Sequence, residues 1–213
     1  MIKVLVADDH AVVCKGLQQI FETAQDIQVE GEAKSGSETI LKVREGKFDV
    51  VILDLSFPDM SGLDVLKQIK LEKPELPVLI YTMQPKEQFA VRLLKAGAAG
   101  YLNKEDGVED ILEAVRHTVK FGRYITPDLA NELLLGLNRD TESLPHVKLS
   151  DREFQIMLMI AEGKMPKEIA TTLCISVKTV ATYRARILEK MEMQSSAQIT
   201  HYVISNGLLH QTK

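Results

Sequence analysis

Val50-Val51-Ile52-Leu53 is apolar at every position, and the run stops abruptly at Asp54. A strand with one wet face alternates apolar and polar residues. A strand that does not alternate must be covered on both faces, as a central strand of a parallel sheet is. A second run, Ile2-Lys3-Val4-Leu5-Val6-Ala7, stops at Asp8-Asp9. Carboxylates are poor strand residues and are rarely buried without partners. In an open parallel sheet the C-terminal strand ends converge on one crevice, where ligands bind. Three acids meeting there would repel one another unless a cation joins them, and an oxygen-only set suits a hard divalent ion such as Mg2+. Two more runs, Val78-Leu79-Ile80-Tyr81 and Gly100-Tyr101-Leu102-Asn103, end at Thr82 and Lys104. One rim would thus carry acids, a hydroxyl and an ammonium, the parts needed to hold a metal and a phosphoryl group.

The first part of the chain repeats this strand–helix alternation. Strands are expected near 2–8, 27–33, 49–54, 77–82 and 98–103, with helices near 10–24, 36–45, 61–72, 85–96 and 106–121. Ser37 and Ser61 read as helix starts. Five such units in residues 1–121 predict an α/β domain, a flavodoxin-like doubly wound five-stranded parallel sheet. Residues 122–147 read as a linker. It holds a short helix from Leu129 to Leu137 and a polar, breaker-rich stretch from Asn138 to Pro145.

Residues 148–213 show no strand pattern and predict an all-α, four-helix helix-turn-helix domain. Ser150-Asp151-Arg152-Glu153 is a capping box, and Glu162-Gly163 stops the helix it opens. A short helix runs from Pro166 to Leu173. Ser176 caps a third helix reaching about Met191, with Val180, Ile187 and Met191 facing the core. Ser195-Ser196 caps a fourth, ending at Asn206-Gly207.

Charge divides along the same boundary. Residues 1–145 hold 17 Lys and Arg against 24 Asp and Glu, and residues 146–213 hold 9 against 6, so a −7 part is joined to a +3 part. Such asymmetry points to two domains with different partners. Cys14 and Cys174 lie far apart without metal-ligand spacing and read as reduced core thiols. No run of about 18 apolar residues predicts a membrane span, and the opening residues read directly as a strand rather than a secretory signal. A soluble, cytoplasmic protein is the expectation.

The order Asp8-Asp9-His10, Asp54 through Gly62, Thr82, and Gly97 through Lys104 resembles a response-regulator receiver domain over about residues 1–121. The resemblance implies that Asp54 accepts a phosphoryl group from a sensor histidine kinase. It implies that Asp8, Asp9, Asp54 and the backbone carbonyl of Ser56 hold Mg2+, and that Thr82 and Lys104 bind the phosphoryl group. Tyr101 is the aromatic switch position. Each residue alone has an ordinary structural reading; their joint placement at separate strand ends carries the functional one. Met83 departs from the pattern, since a small residue usually follows the threonine, and His10 is given no catalytic role.

Leu149 through Glu153, Ala161-Glu162-Gly163, Lys167 through Ala170, Lys178-Thr179-Val180, Tyr183-Arg184 and Ile187 through Met191 resemble the NarL/FixJ-type (LuxR-type) helix-turn-helix domain. The resemblance implies binding of double-stranded DNA by the helix after Ser176. Lys178, Thr179, Thr182, Tyr183, Arg184, Arg186 and Lys190 would face the DNA. Relatives often carry Lys where this chain has Ala181 and Ala185, so a single copy is expected to bind weakly. A homodimer formed on phosphorylation would then read paired half-sites. RNA polymerase is a further implied partner.

The expected function is a transcriptional regulator switched at Asp54, not an enzyme. One rival is a constitutive regulator with a vestigial pocket, against which the complete pocket argues. Another is a metal-dependent phosphohydrolase, which would need a second acid two residues after the nucleophile, where Ser56 stands.

Overall fold

The unbroken apolar run forms β3 (Val50–Leu53), and all of its residues are buried. The structure, a computed structural model, describes residues 1–84, 86–127, 129–130, 144–173 and 175–208. Around β3 assemble β1 (Ile2–Ala7), β2 (Ile27–Ala33), β4 (Val78–Thr82) and β5 (Gly100–Asn103), all parallel, in the order β2-β1-β3-β4-β5. β3 is central, so neither of its faces can be wet, which is why its sequence does not alternate.

Helices cover both faces. α1 (Ala11–Thr23) and α5 (Val108–Phe121) lie on one side, where Leu17, Phe21, Ile111 and Val115 pack with Val4, Val6, Val50 and Ile52. α2 (Gly36–Glu45), α3 (Gly62–Glu72) and α4 (Lys86–Lys95) lie on the other, where Val43, Leu66, Ile69 and Leu93 pack with Leu5, Val51, Leu53 and Ile80. Burying one such side chain contributes ~1.5–3 kcal/mol, so two apolar layers around one strand dominate the stability of this unit.

The register fixes the crevice. Ala7 is beside Leu53, and Leu53 beside Ile80, so the residues just beyond β1 and β3 are neighbours. Asp54 N donates to the Ala7 carbonyl at 2.9 Å, and Lys104 N donates to the Thr82 carbonyl at 2.9 Å. α2 spans the expected residues, but its cap differs from expectation. Ser35, not Ser37, is the N-cap; its hydroxyl accepts from Glu38 N at 3.1 Å, while the Glu38 carboxylate accepts from Lys34 N. Ser35 is placed to cap because Glu38 N is within reach of its hydroxyl, and the Glu38 carboxylate secures the chain just before it at Lys34. Ser61 does cap α3, accepting from Leu63 N. The next residue must be glycine: a Cβ on Gly62 would overlap the Asp54 carbonyl oxygen and sit 2.5 Å from Leu55 Cα.

The chain divides into two compact units, Met1–Leu133 and Leu134–Lys213. Beyond α5, Gly100 bridges Tyr124, and Leu129 is buried in the first unit's core. Leu129 and Ala130 are described; the rest of the helix expected up to Leu137, and the polar stretch as far as Ser143, lie outside the described residues. So does Cys174, whereas Cys14 is a buried free thiol. Its Sγ donates to the Asp8 carbonyl, and burial chiefly, with the Asp8 charge, pushes its pKa up to about 11.

The second unit is helical. After a 3-10 turn (Pro145–Lys148) come α6 (Asp151–Ala161), α7 (Pro166–Thr172), α8 (Val177–Lys190) and α9 (Ser196–Ser205). Ser150 and Glu153 form the expected capping box, and Gly163, at φ 81°, ends α6 in the left-handed region. Phe154, Ile156, Met157, Ile169, Val180, Ile187, Met191, Ile199 and Val203 are buried. Among the described residues no helix is long and apolar enough to cross a membrane.

Candidate functional site

Asp8 and Asp54, which follow β1 and β3, are 2% and 3% exposed. They share one ammonium: Lys104 Nζ lies 2.6 Å from Asp8 Oδ2 and 3.2 Å from Asp54 Oδ2. Burial is the main influence on Asp54 and raises its pKa; Lys104 opposes that shift and Asp8 adds to it. Burial works against the Lys104 ammonium too, but its bonds to Asp8 and the Asp54 charge hold its pKa above the usual lysine value. The lysine therefore stays charged and favours ionised carboxylates, the form a phosphoryl acceptor needs.

Asp9 is exposed and reaches the same place from the next position. Oxygens of Asp8, Asp9 and Asp54 and a ring nitrogen of His10 all lie within 4.8 Å of one another. A divalent cation fits this donor set, because it would neutralise carboxylates that a single ammonium now serves. Ser56 lies two residues past Asp54 in a loop closed by its backbone bridge to Ser61.

Thr82 is buried at the end of β4, and its Oγ1 accepts from Gln84 N at 3.4 Å. Tyr101 is buried, and its hydroxyl donates to the Gln84 carbonyl. Thr82 and Tyr101 thus both bond to Gln84, so a shift of one can be felt by the other. Met83, between Thr82 and Gln84, is 59% exposed. The structure gathers Asp8, Asp9, Asp54 and Lys104 into one cluster, with Thr82 at the end of the strand beside β3.

In the second unit, α7 and α8 are joined by a short turn, and Ser176 caps α8 by accepting from Thr179 N at 3.0 Å. Arg152 of α6 braces this turn, donating to the Leu173 carbonyl at 2.8 Å. Helical spacing sorts the seven candidates on α8. Lys178, Thr182, Arg186 and Lys190 follow one another at four-residue intervals and are exposed, on the stripe that also carries Ala181 and Ala185. Thr179 and Tyr183 are half-buried, and the Thr179 hydroxyl bonds Ser176 Oγ. Arg184 falls on the Val180–Ile187 side, where its Nε donates to Ser196 Oγ at 2.7 Å. Lys190 Nζ is 2.6 Å from Glu153 Oε2. Arg184 and Lys190 are thus tied into the helical scaffold, which periodicity alone could not reveal because their partners lie on other helices.

Residues 4–116 match the family described as "Response regulator receiver domain", and residues 147–203 match "Bacterial regulatory proteins, luxR family". The chain is a response regulator. It is 38% identical to the response regulator GacA of Pseudomonas protegens over 209 residues, spanning 98% of each chain. To the response regulator UvrY of Escherichia coli K12 it is 34% identical, over 98% of this chain and 96% of UvrY. It is also similar to a solved two-component response regulator of the LuxR family from Aurantimonas. That likeness has 28% identity and a TM-score of 0.58 over 63% of this chain and 96% of that one. RcsB from Salmonella enterica serovar Typhimurium, solved bound to promoter rprA with the phosphomimetic BeF3-, shares the fold. There the TM-score is 0.64 with 24% identity, over 95% of this response regulator and 98% of RcsB.

Proposed function

We propose that this response regulator is a cytoplasmic transcription factor switched by phosphorylation of Asp54 by a sensor histidine kinase. The observation that carries the reading is the shared ammonium: Lys104 holds Asp8 and Asp54 together in the crevice at the end of the central strand. An Asp54 oxygen forms the new bond to phosphorus as the phosphorus–nitrogen bond to the kinase histidine breaks, and that nitrogen keeps the bonding electron pair. Asp54 ends the most enclosed strand, so its backbone is fixed before reaction, and positioning supplies much of the catalysis. Asp8, Asp9, Asp54 and the Ser56 carbonyl would hold Mg2+, which when bound supplies positive charge to the phosphoryl oxygens.

After transfer, the Lys104 ammonium is placed to pair with a phosphoryl oxygen, and the Thr82 hydroxyl to donate to another. Drawing Thr82 toward the phosphoryl group would disturb its bond from Gln84 and so reach Tyr101, the coupling a two-state switch requires. Output would be double-stranded DNA read by α8 in the major groove, with Lys178 and Arg186 on phosphates and Thr182 at base edges. The mild positive charge of the second unit favours a phosphorylation-dependent homodimer on paired half-sites, and RNA polymerase is the partner of such a complex. The chain acts as a switch rather than an enzyme, since Ser56 stands where a hydrolase would place its second acid.

The test is acetyl phosphate with Mg2+, read by intact mass and by promoter binding. Wild type should gain one phosphoryl group and bind DNA more tightly, and Asp54→Asn should do neither. An Asp54→Asn protein with unchanged phospho-dependent binding would overturn the reading.

A further inference from the structure

Asp59 stands at the tip of the loop that joins β3 to α3, the same loop that carries Ser56. Its carboxylate reaches a different element. Oδ1 accepts from Gly36 N and Oδ2 from Ser37 N, both at 2.9 Å. Gly36 and Ser37 open α2, and the first N–H groups of a helix have no partner within it. Ser35 Oγ takes the third of them, Glu38 N. The other two are satisfied by a carboxylate 23 and 22 residues away in sequence, whose charge also suits the positive end of the helix.

Packing repeats the connection. A Cβ on Gly36 would lie 2.3 Å from Met60 Cγ and 2.7 Å from its Sδ, so the loop and the start of α2 are in direct contact. The feet of the loop are closed by the Ser56–Ser61 backbone bridge and by Gly62 N, which donates to the Leu55 carbonyl at 3.0 Å. On the other side α2 follows β2, and Asp8 N donates to the Ala33 carbonyl at 2.9 Å. The backbone segments that carry the proposed metal donors, at Asp8 and at Ser56, are thus joined through the start of α2. Asp59 makes the polar part of that joint.

We infer that Asp59 is a positioning residue for the divalent ion: it holds the loop that carries the Ser56 carbonyl against α2, and so sets how tightly the ion is bound. The inference rests on the proposed metal site and deepens it. A carbonyl on a loop loose at its tip must be ordered when the ion binds, and that ordering is subtracted from the affinity. A loop already fixed avoids the loss. Groups that orient a metal ligand without touching the metal commonly change affinity about 10–100-fold.

The experiment uses the full chain with Mg2+ alone, followed by titration calorimetry. Asp59→Ala should bind Mg2+ about tenfold more weakly than wild type. Asp59→Asn loses the same charge but keeps an oxygen acceptor for one N–H, and should recover most of the affinity. Glu38→Ala removes the bonds of Glu38 to Lys34 N and Lys42 at the same end of α2 without touching the loop, and should bind Mg2+ as wild type does. Wild-type affinity in Asp59→Ala would overturn the inference. So would equal losses in the alanine and asparagine variants, which would make charge the whole effect, or an equal loss in Glu38→Ala, which would make helix stability the whole effect. Failure of wild type to bind Mg2+ would overturn the metal site itself, and the inference with it.

Discussion

The ammonium of Lys190, at the last turn of α8, lies 2.6 Å from the carboxylate of Glu153, at the first turn of α6. Glu153 is 2% exposed and also accepts from Ser150 N at 2.7 Å. One carboxylate thus caps the helix that opens the second unit and anchors the end of the helix proposed to read DNA. Lys190 is accordingly a positioning residue.

Lys190→Met should leave a buried carboxylate short of a partner and destabilise the second unit by about 1–3 kcal/mol in chemical denaturation. Its salt dependence of DNA binding should keep the wild-type slope. Lys178→Met or Arg186→Met, by contrast, should reduce the slope by about one and leave stability near wild type.

Acid sensitivity should follow from Glu153. Burial raises its pKa, but Lys190 and Ser150 outweigh burial and hold it below the ordinary glutamate value. A depressed carboxylate contributes stability that is present above its unfolded pKa and lost as pH falls through the folded value. Unfolding of the second unit should therefore grow easier below about pH 4.5, and Glu153→Gln should flatten that acid limb in a pH series of melts.

Lys104→Met should expose the repulsion that the shared ammonium now offsets. Two carboxylates a few per cent exposed would lose their common cation, at a cost of about 3 kcal/mol. Added Mg2+ should then raise the melting temperature of Lys104→Met more than that of wild type, because an ion bound only by the folded state stabilises it by mass action. Equal shifts in the two proteins would refute the role given to Lys104.

Gly62→Ala should disturb the acceptor directly. The added Cβ would overlap the Asp54 carbonyl oxygen and press on Leu55, both backbone atoms that cannot rotate away. A loss of about 1–3 kcal/mol in thermal stability is expected, with slower labelling by acetyl phosphate.

How far the sequence speaks depends on how local each determinant is. The apolar runs around Val50–Leu53 and Ile2–Ala7, the strand–helix alternation and the Ser150–Glu153 capping box follow from side-chain period and short-range hydrogen bonding, so they are legible one segment at a time. The span of α2 matches the expected 36–45, but its cap is Ser35 rather than Ser37, because two serines two residues apart look alike until the backbone shows which hydroxyl meets Glu38 N. The acids at the ends of β1 and β3 pointed to a common crevice because parallel strands bring their C-terminal ends to one edge.

Local pattern therefore establishes the architecture and the roster of reactive groups. The tertiary structure decided their division of labour. It set Lys104 between Asp8 and Asp54, turned His10 away from capping and into the acids, and paired the exposed Lys190 and Arg184 of α8 with partners on other helices. The physical reason is that a charge takes its role from the nearest opposite charge or lone pair. For these residues that neighbour is brought close by packing between distant segments, a distance that no local pattern encodes.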